Sequence, residues 1–182
     1  MIGYESIMDS PILFQFIQEA RAFSTFLGTV DEYGPTELLL LAAHLSRMCA
    51  NAYELPAIQI SDICDSVSLS VVHASERQDI ESKIASGLHL DLYHSVSPFD
   101  LDQAPKATVG QLSEDLFDIW SEIEIGLRTW ERGDFDAKRL ATWHWRFSFF
   151  SHWGFHAVDA LAFVHKNLSS TPSKPASKSP IP

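Results

Sequence analysis

Two histidines and a row of carboxylates in the last third of the sequence have the spacing of a metal site. His152 and His156 are four residues apart, so on a helix both imidazoles project from one face and can reach the same ion. Asp115, Asp118 and Glu122 recur at three- and four-residue steps and would also share one face. Helical bundles build metal sites from carboxylates and histidines on facing helices. These five residues are therefore the predicted ligands of a divalent metal.

The structural alternative for the same residues needs no metal. Both histidines would lie at the edge of the core and hydrogen-bond to carboxylates of a neighbouring helix. The Glu-x-x-His pairing of di-iron bundles and the His-Glu-x-x-His motif are both missing from the sequence. The sequence thus permits a divalent metal without requiring one, and it indicates no other cofactor.

Arg146 and His152 suggest a second kind of chemistry. Their Arg-x5-His spacing resembles the arginine–histidine motif of a superfamily of helical-bundle ribonucleases, in which the pair lies at a dimer interface. That resemblance implies an arginine that holds phosphate and a histidine that acts as acid or base. The structural alternative pairs Arg146 with Asp118 or Glu122 of the adjacent helix. Trp153, next to His152, completes the candidate site, although aromatic residues at such spacing are more often core.

The composition is that of a folded domain with a strongly acidic surface. The 182 residues are 46% hydrophobic and 20% charged, which is typical of a globular protein with one core. The 13 basic and 24 acidic residues give a net charge of −11, which repels phosphate backbones, so duplex nucleic acid is not an expected partner. Arg146 and Asp159 interrupt the most apolar stretch and argue against a membrane span. A cytoplasmic location is the resulting expectation.

Helices must position these residues. Capping residues and apolar periodicity predict four main helices: Pro11–Leu27, Thr36–Tyr53, Leu112–Arg132, and a last one that is capped by Asp134 or Asp136 and runs to about Asn167. A capping box at Ser75–Gln78 opens a short helix. The turn between the last two main helices is short, so they should be antiparallel neighbours. The predicted fold class is an all-α helical bundle of four main helices plus a short one.

The remaining segments are expected to be irregular. Ser66–Val71 alternates polar and apolar residues but has no partner strand, which favours an extended connector across the bundle. Asp91–Ala107 is rich in proline and aspartate and should be a loop, followed by a capping box at Thr108–Gln111. Residues 1–168 form a single predicted domain, and residues 169–182, rich in serine, proline and lysine, a disordered, flexible tail.

The last helix has the most regular apolar pattern in the sequence. One predicted core seam alternates steps of four and three residues through Trp143, Phe147, Phe150, Gly154, Ala157, Leu161 and Val164. A second seam beside it contains Trp145, Phe149, His152, His156, Ala160 and Phe163. Because a mid-helix glycine costs about 1 kcal/mol relative to alanine, Gly154 is predicted to be a point of close packing.

The segment Trp145–Ala157, WRFSFFSHWGFHA, resembles the hallmark of a bacterial family of uncharacterised domains, domain of unknown function 5063. Upstream, LSEDLFDIWSEIEIGLRTWERG is similar to the acidic penultimate helix of that family, and DLYHSVSPFD to its preceding loop. The similarity covers most of residues 14–168. Phe150 and Phe155 depart from it, since the family commonly has an acidic and a basic residue there. The resemblance implies an all-α fold and a bacterial origin, and it supplies no activity.

No complete catalytic set is evident, so we expect a non-catalytic module that binds a protein or small-molecule partner and that can also form a homo-oligomer. The first alternative is a metal-dependent helical-bundle enzyme that uses His152, His156 and the helix carboxylates. The second is an Arg-x5-His ribonuclease. A metal site requires donor atoms that can converge to about 2–2.5 Å from one point.

Overall fold

The computed structural model describes residues 9–64, 66–96 and 107–170. Its helices are α1 (Pro11–Thr29), α2 (Pro35–Tyr53), α3 (Ala74–Gly87), α4 (Leu112–Glu131), α5 (Phe135–Ser148) and α6 (Gly154–Ser170). One π-helical turn, Phe149–Trp153, joins α5 to α6 without a break, so together they are the fourth main helix. The predicted helical bundle of four main helices plus a short one is therefore confirmed. Within the described ranges, no helix is long and apolar enough to span a membrane.

Helix α4 is central to the bundle and contacts α1, α3, α5 and α6. Apolar residues at helical spacing line its buried face: Leu112, Leu116, Ile119, Ile123 and Leu127. The largest buried side chains opposite α4 are Trp145 and Trp153, both with no exposed surface. The ring of Phe16 from α1 lies 5.2 Å from Trp145 and 6.3 Å from Trp153, measured between centroids. This aromatic group holds α1 and the fourth main helix together.

The π-helical turn selects which side of the fourth main helix is buried. The buried seam proceeds mostly in four-residue steps through Trp145, Phe149, Trp153, Ala157, Ala160 and Val164. In a regular α-helix each four-residue step overshoots a turn by about 40°, and the wider π turn absorbs that drift. The first predicted seam is wrong in its N-terminal half, because Phe147 is 56% and Phe150 49% exposed.

A two-stranded antiparallel sheet replaces part of the predicted loop. Strand β1 (Leu92–Val96) pairs with β2 (Ala107–Gln111), with Leu92 opposite Gln111. The predicted capping box at Thr108–Gln111 is therefore wrong, since those residues are strand. The N-terminus of α4 is instead capped from a distance, because the carboxylate of Asp91 accepts hydrogen bonds from both N and Oγ of Ser113, at 2.7 Å each.

The start of α3 and the extent of α6 also differ from the predictions. Helix α3 begins after His73, whose backbone N donates to Glu76 at 3.1 Å, two residues before the predicted capping box. Helix α6 continues to Ser170, past the predicted boundary at residue 168. The rest of the predicted tail, residues 171–182, and the predicted loop at 97–106 lie outside the described residues.

Among the described residues, the predicted connector between α2 and α3, residues 66–71, forms neither helix nor strand. The backbone N of Ser70 donates to Thr129 Oγ1 at 2.9 Å, and Arg132 donates to the carbonyl of Ser68 at 2.7 Å. The chain therefore satisfies the backbone of this segment with side chains of α4 and of the turn that follows it.

Two glycines mark the closest approaches in the bundle. A Cβ placed on Gly126 of α4 would lie 1.9 Å from Nε1 of Trp145 and 2.3 Å from its Cε2, so α5 packs directly onto the backbone of α4. A Cβ on Gly154 would lie 2.2 Å from the carbonyl oxygen of Phe149 and 2.8 Å from its ring. Close packing at Gly154 agrees with the prediction, but its neighbour is the preceding π turn.

Replacing Gly126 by alanine is expected to lower the free energy of unfolding by about 2 kcal/mol, because overpacking costs more than the gain in helix propensity. Urea denaturation measures this change. Gly28→Ala in α1 is the matched control, since a Cβ there meets no atom within 4 Å. Its stability should equal or exceed that of the wild type. An unchanged unfolding midpoint for Gly126→Ala would contradict the tight contact with Trp145.

Gly154→Ala should also destabilise the protein, because the new methyl group collides with a backbone oxygen that moves only if the π turn opens. We expect a loss of about 1–3 kcal/mol in the free energy of unfolding. A midpoint at or above that of the wild type, measured by the same denaturation, would show that the turn rearranges without cost.

Candidate metal centre

The candidate site lies where α4 runs alongside the π turn and α6. The two elements are antiparallel, which sets Asp115 of α4 opposite His156 and Glu122 opposite His152. The predicted acidic face of α4 and the predicted histidine pair therefore face one another. Four charged or ionisable side chains meet along about two turns of α4 and about one turn of the opposite element.

Glu122 lies between two imidazoles. Its Oε1 is 3.0 Å from Nδ1 of His152, and its Oε2 is 3.0 Å from Nε2 of His144. The hydrogen bond from His144 is the largest cause that holds the pKa of Glu122 below its ordinary value. Because the ionised carboxylate only accepts, Nδ1 of His152 must carry the hydrogen and donate. In a neutral His152, Nε2 then carries no hydrogen and has a lone pair that can bind a metal.

A second carboxylate holds His156 in the same orientation. Nδ1 of His156 donates to Oδ1 of Asp115 at 2.7 Å, and its Nε2 lies 3.5 Å from Oδ2 of Asp118. The hydrogen bond to Asp115 is the largest of the causes that raise the pKa of His156. The hydroxyl of Tyr93 on β1 donates to the other oxygen of Asp115, and its ring stacks on Phe163.

Three of these side chains offer possible ligand atoms to one ion. Asp118, His152 and His156 each offer one ligand atom, and the three atoms lie within 4.8 Å of one another. Donors around a tetrahedral zinc ion are about 3.4 Å apart, given bonds of about 2.1 Å, so these atoms would have to move closer together to bind one ion. The side chains are 35%, 45% and 30% exposed, respectively, which gives an ion direct access from solvent.

The family described as Domain of unknown function (DUF5063) matches residues 9–170. The chain belongs to this family. Its predicted membership is thereby confirmed. The crystal structure of protein BF1032 from Bacteroides fragilis is similar to the DUF5063 domain, with a TM-score of 0.76 over 92% of this chain and 99% of that chain. At 18% identity, this likeness concerns the fold alone. No curated protein matches the sequence.

The DUF5063 domain separates the predicted metal ligands into two groups. Asp118, His152 and His156 form the converging set. Asp115 and Glu122 lie behind that set and hold Nδ1 of each imidazole. These two carboxylates orient the predicted ligands and lie outside the group of three converging donors.

Arg146 and Trp153 lie away from this centre. The Arg146 guanidinium donates through NH1 to the carbonyls of Tyr53 at 3.3 Å and Leu55 at 2.7 Å, at the end of α2. The prediction that Arg146 pairs with a carboxylate of α4 is wrong, because its guanidinium donates instead to the carbonyl of Tyr53, the last residue of α2, and more closely to that of Leu55 in the segment that follows. Arg146 and His152 thus contact different helices. Trp153 is fully buried, and its Nε1 donates to the carbonyl of Trp145 at 3.2 Å.

Two residues of the centre were missed from the sequence. His144 lies eight residues before His152, a spacing of about two turns that would have extended the histidine pattern. Tyr93 had no detectable signal, because its strand was predicted as loop and its partner Asp115 is 22 residues away in sequence.

The Glu122 network should make stability depend on acid pH. The folded-state pKa of Glu122 is lowered, so its contribution is present above the ordinary value of 4.5 and is lost as pH falls through the folded value. Glu122→Gln should reduce the free energy of unfolding by about 1–2 kcal/mol at neutral pH. The difference from wild type should shrink below pH 4.5.

Urea denaturation in EDTA across the pH range measures this difference. Glu81→Gln is the control, because Glu81 is exposed on α3, and its difference from wild type should be small at every pH. A constant difference for Glu122→Gln from neutral to strongly acid pH would contradict an ionised, hydrogen-bonded Glu122.

Proposed function

We propose that this DUF5063 domain binds one divalent transition-metal ion through Asp118, His152 and His156. One observation carries the proposal: each histidine donates from Nδ1 to a carboxylate, while the ligand atoms of the two histidines and Asp118 lie within 4.8 Å. Metal-bound histidines almost always donate their other ring N–H to a carboxylate, carbonyl or water, which fixes the tautomer and raises ligand basicity. Both histidines have that arrangement here.

The donor set favours some metals over others. Two imidazoles and one carboxylate suit zinc, iron, cobalt or nickel in the divalent state. Magnesium and calcium prefer oxygen ligands and would gain little from the imidazoles. The proposed cofactor is therefore a borderline transition metal, with Asp115, Glu122 and Tyr93 as residues that position the ligands.

A metal-dependent enzyme is the second candidate function. Three protein ligands are the number that catalytic zinc sites use, whereas structural sites almost always have four. A metal held in this way supplies an open coordination position for water or a substrate oxygen. The solvent exposure of His152 agrees with such an open position.

Isothermal titration calorimetry of EDTA-treated protein with Zn²⁺ and Co²⁺ tests the proposal. The wild type should bind one equivalent, and Mg²⁺ should give no comparable heat. His152→Ala and Asp118→Asn should each weaken Zn²⁺ binding by about 100-fold or more, because a direct ligand is lost. Tyr93→Phe should cost about tenfold, the lower end for residues that orient a ligand.

His165→Ala is the matched control, since His165 is an exposed histidine on the same helix and outside the cluster. Its Zn²⁺ affinity should equal that of the wild type. Absence of binding to wild type at millimolar Zn²⁺ and Co²⁺ would overturn the proposal. Equal affinities for wild type, His152→Ala and Asp118→Asn would do so as well.

A further inference from the structure

An exposed group of aromatic side chains lies on the fourth main helix beside the end of α2. We call Tyr53, Trp143, Phe147 and Phe150 the aromatic surface. Tyr53 is 59%, Phe147 56% and Phe150 49% exposed. The Trp143 and Phe147 rings stack with centroids 4.9 Å apart and planes 10° apart, and the Tyr53 and Phe150 centroids are 6.0 Å apart. A groove of about 280 Å³ runs between this helix and Ile58.

The main core does not require Phe147 and Phe150 to be apolar, because its buried seam passes through Trp145, Phe149 and Trp153 instead. Trp143 is half-buried and packs on a smaller cluster that contains Ile58 and Leu140. Single exposed apolar residues are common, but a contiguous group of them marks an interaction site. Aromatic residues and arginine are also the residue types enriched in protein interfaces.

The charges around the aromatic surface indicate which partner fits. The chain has a net charge of −11, yet the 22 residues 137–158 contain no aspartate or glutamate. Arg146 is the charged residue that lines the groove, and Glu54, next to Tyr53 in sequence, does not line it. The Arg146 guanidinium contacts the carbonyls of Tyr53, the last residue of α2, and of Leu55, and it also lies over the Phe150 ring.

This balance favours an identical partner. A basic protein would be attracted to the acid-rich parts of this chain's surface rather than to the aromatic surface. An acidic protein would need free cationic side chains on the aromatic surface. Two copies with a net charge of −11 each repel one another over most of their surfaces, but least where carboxylates are lacking. Interfaces between identical chains are also the more apolar class, and two-fold dimers are the commonest oligomers.

We infer that the aromatic surface is covered by the same surface of a second copy of this chain in a two-fold dimer. The contact consists of aromatic rings from both copies, and Phe147, the most exposed ring of the fourth main helix in this group, supplies much of it. The inference is independent of the proposed metal, because His152 and His156 point to α4 and lie outside the groove lining.

Sedimentation velocity of the full chain in EDTA, over a series from micromolar to millimolar protein, tests this inference. The wild type should shift from monomer to dimer across the series. Phe147→Glu should weaken the dimer by at least about tenfold, because it places two carboxylates in an apolar contact. Phe147→Ala should act in the same direction without adding charge.

Leu39→Glu is the matched control, because Leu39 is 61% exposed on α2 near the end opposite Tyr53. It should dimerise like the wild type, and circular dichroism should show all variants folded. A wild type that stays monomeric throughout the series overturns the inference. A dimer that survives Phe147→Glu, or one that forms only after Zn²⁺ is added, overturns it too.

Discussion

The contact between Trp145 and Gly126 sets the distance between α4 and the fourth main helix. The indole lies where a side chain would otherwise stand on α4, and its Nε1 donates to the carbonyl of Ile123 at 3.2 Å. A small residue and an inserted ring thus replace the usual interdigitation of side chains. Because α5 continues into α6, this one contact also fixes the approach of His152 and His156 to α4. Hydrogen bonds of 2.7–3.0 Å between those histidines and the carboxylates depend on that approach.

The π turn determines how α6 is rotated about its own axis relative to α5. A π turn holds one more residue than an α turn, and in a regular helix that extra residue would rotate everything after it by about 100°. His156 would then turn away from Asp115. Such turns occur frequently at functional sites. Here the turn includes His152 and is followed by Gly154, whose lack of a side chain leaves room for the carbonyl of Phe149. The π turn therefore explains both the glycine at position 154 and the orientation of His156 towards Asp115.

Much of the bundle and the converging donors could be predicted because the relevant patterns are local. The four-residue spacing of the histidines, the three- and four-residue steps of the acids and the short turn before α5 together determine which faces meet. The sequence did not predict the π turn, because its hydrogen-bonding pattern leaves no mark in the spacing of apolar residues. The buried seam was mispredicted for the same reason. The hairpin was missed because its exposed Leu92 and Val109 do not give the alternation of a half-buried strand. The partner of Arg146 was predicted wrongly because it is a pair of backbone carbonyls, and the sequence does not show which carbonyls will lie near a side chain.

Anchoring of a histidine by a carboxylate does not by itself indicate a metal. His44 donates from Nδ1 to Glu19, and no cluster of possible metal ligands surrounds it in the described chain. His144 also contacts a carboxylate, through Nε2, but it is 7% exposed and lies outside the group of three possible ligands. His152 and His156 differ from both, because their ligand atoms lie near each other and near Asp118 at an accessible surface. This convergence, with the two ring centroids 4.9 Å apart, is the feature that distinguishes these histidines and on which the proposed metal site rests.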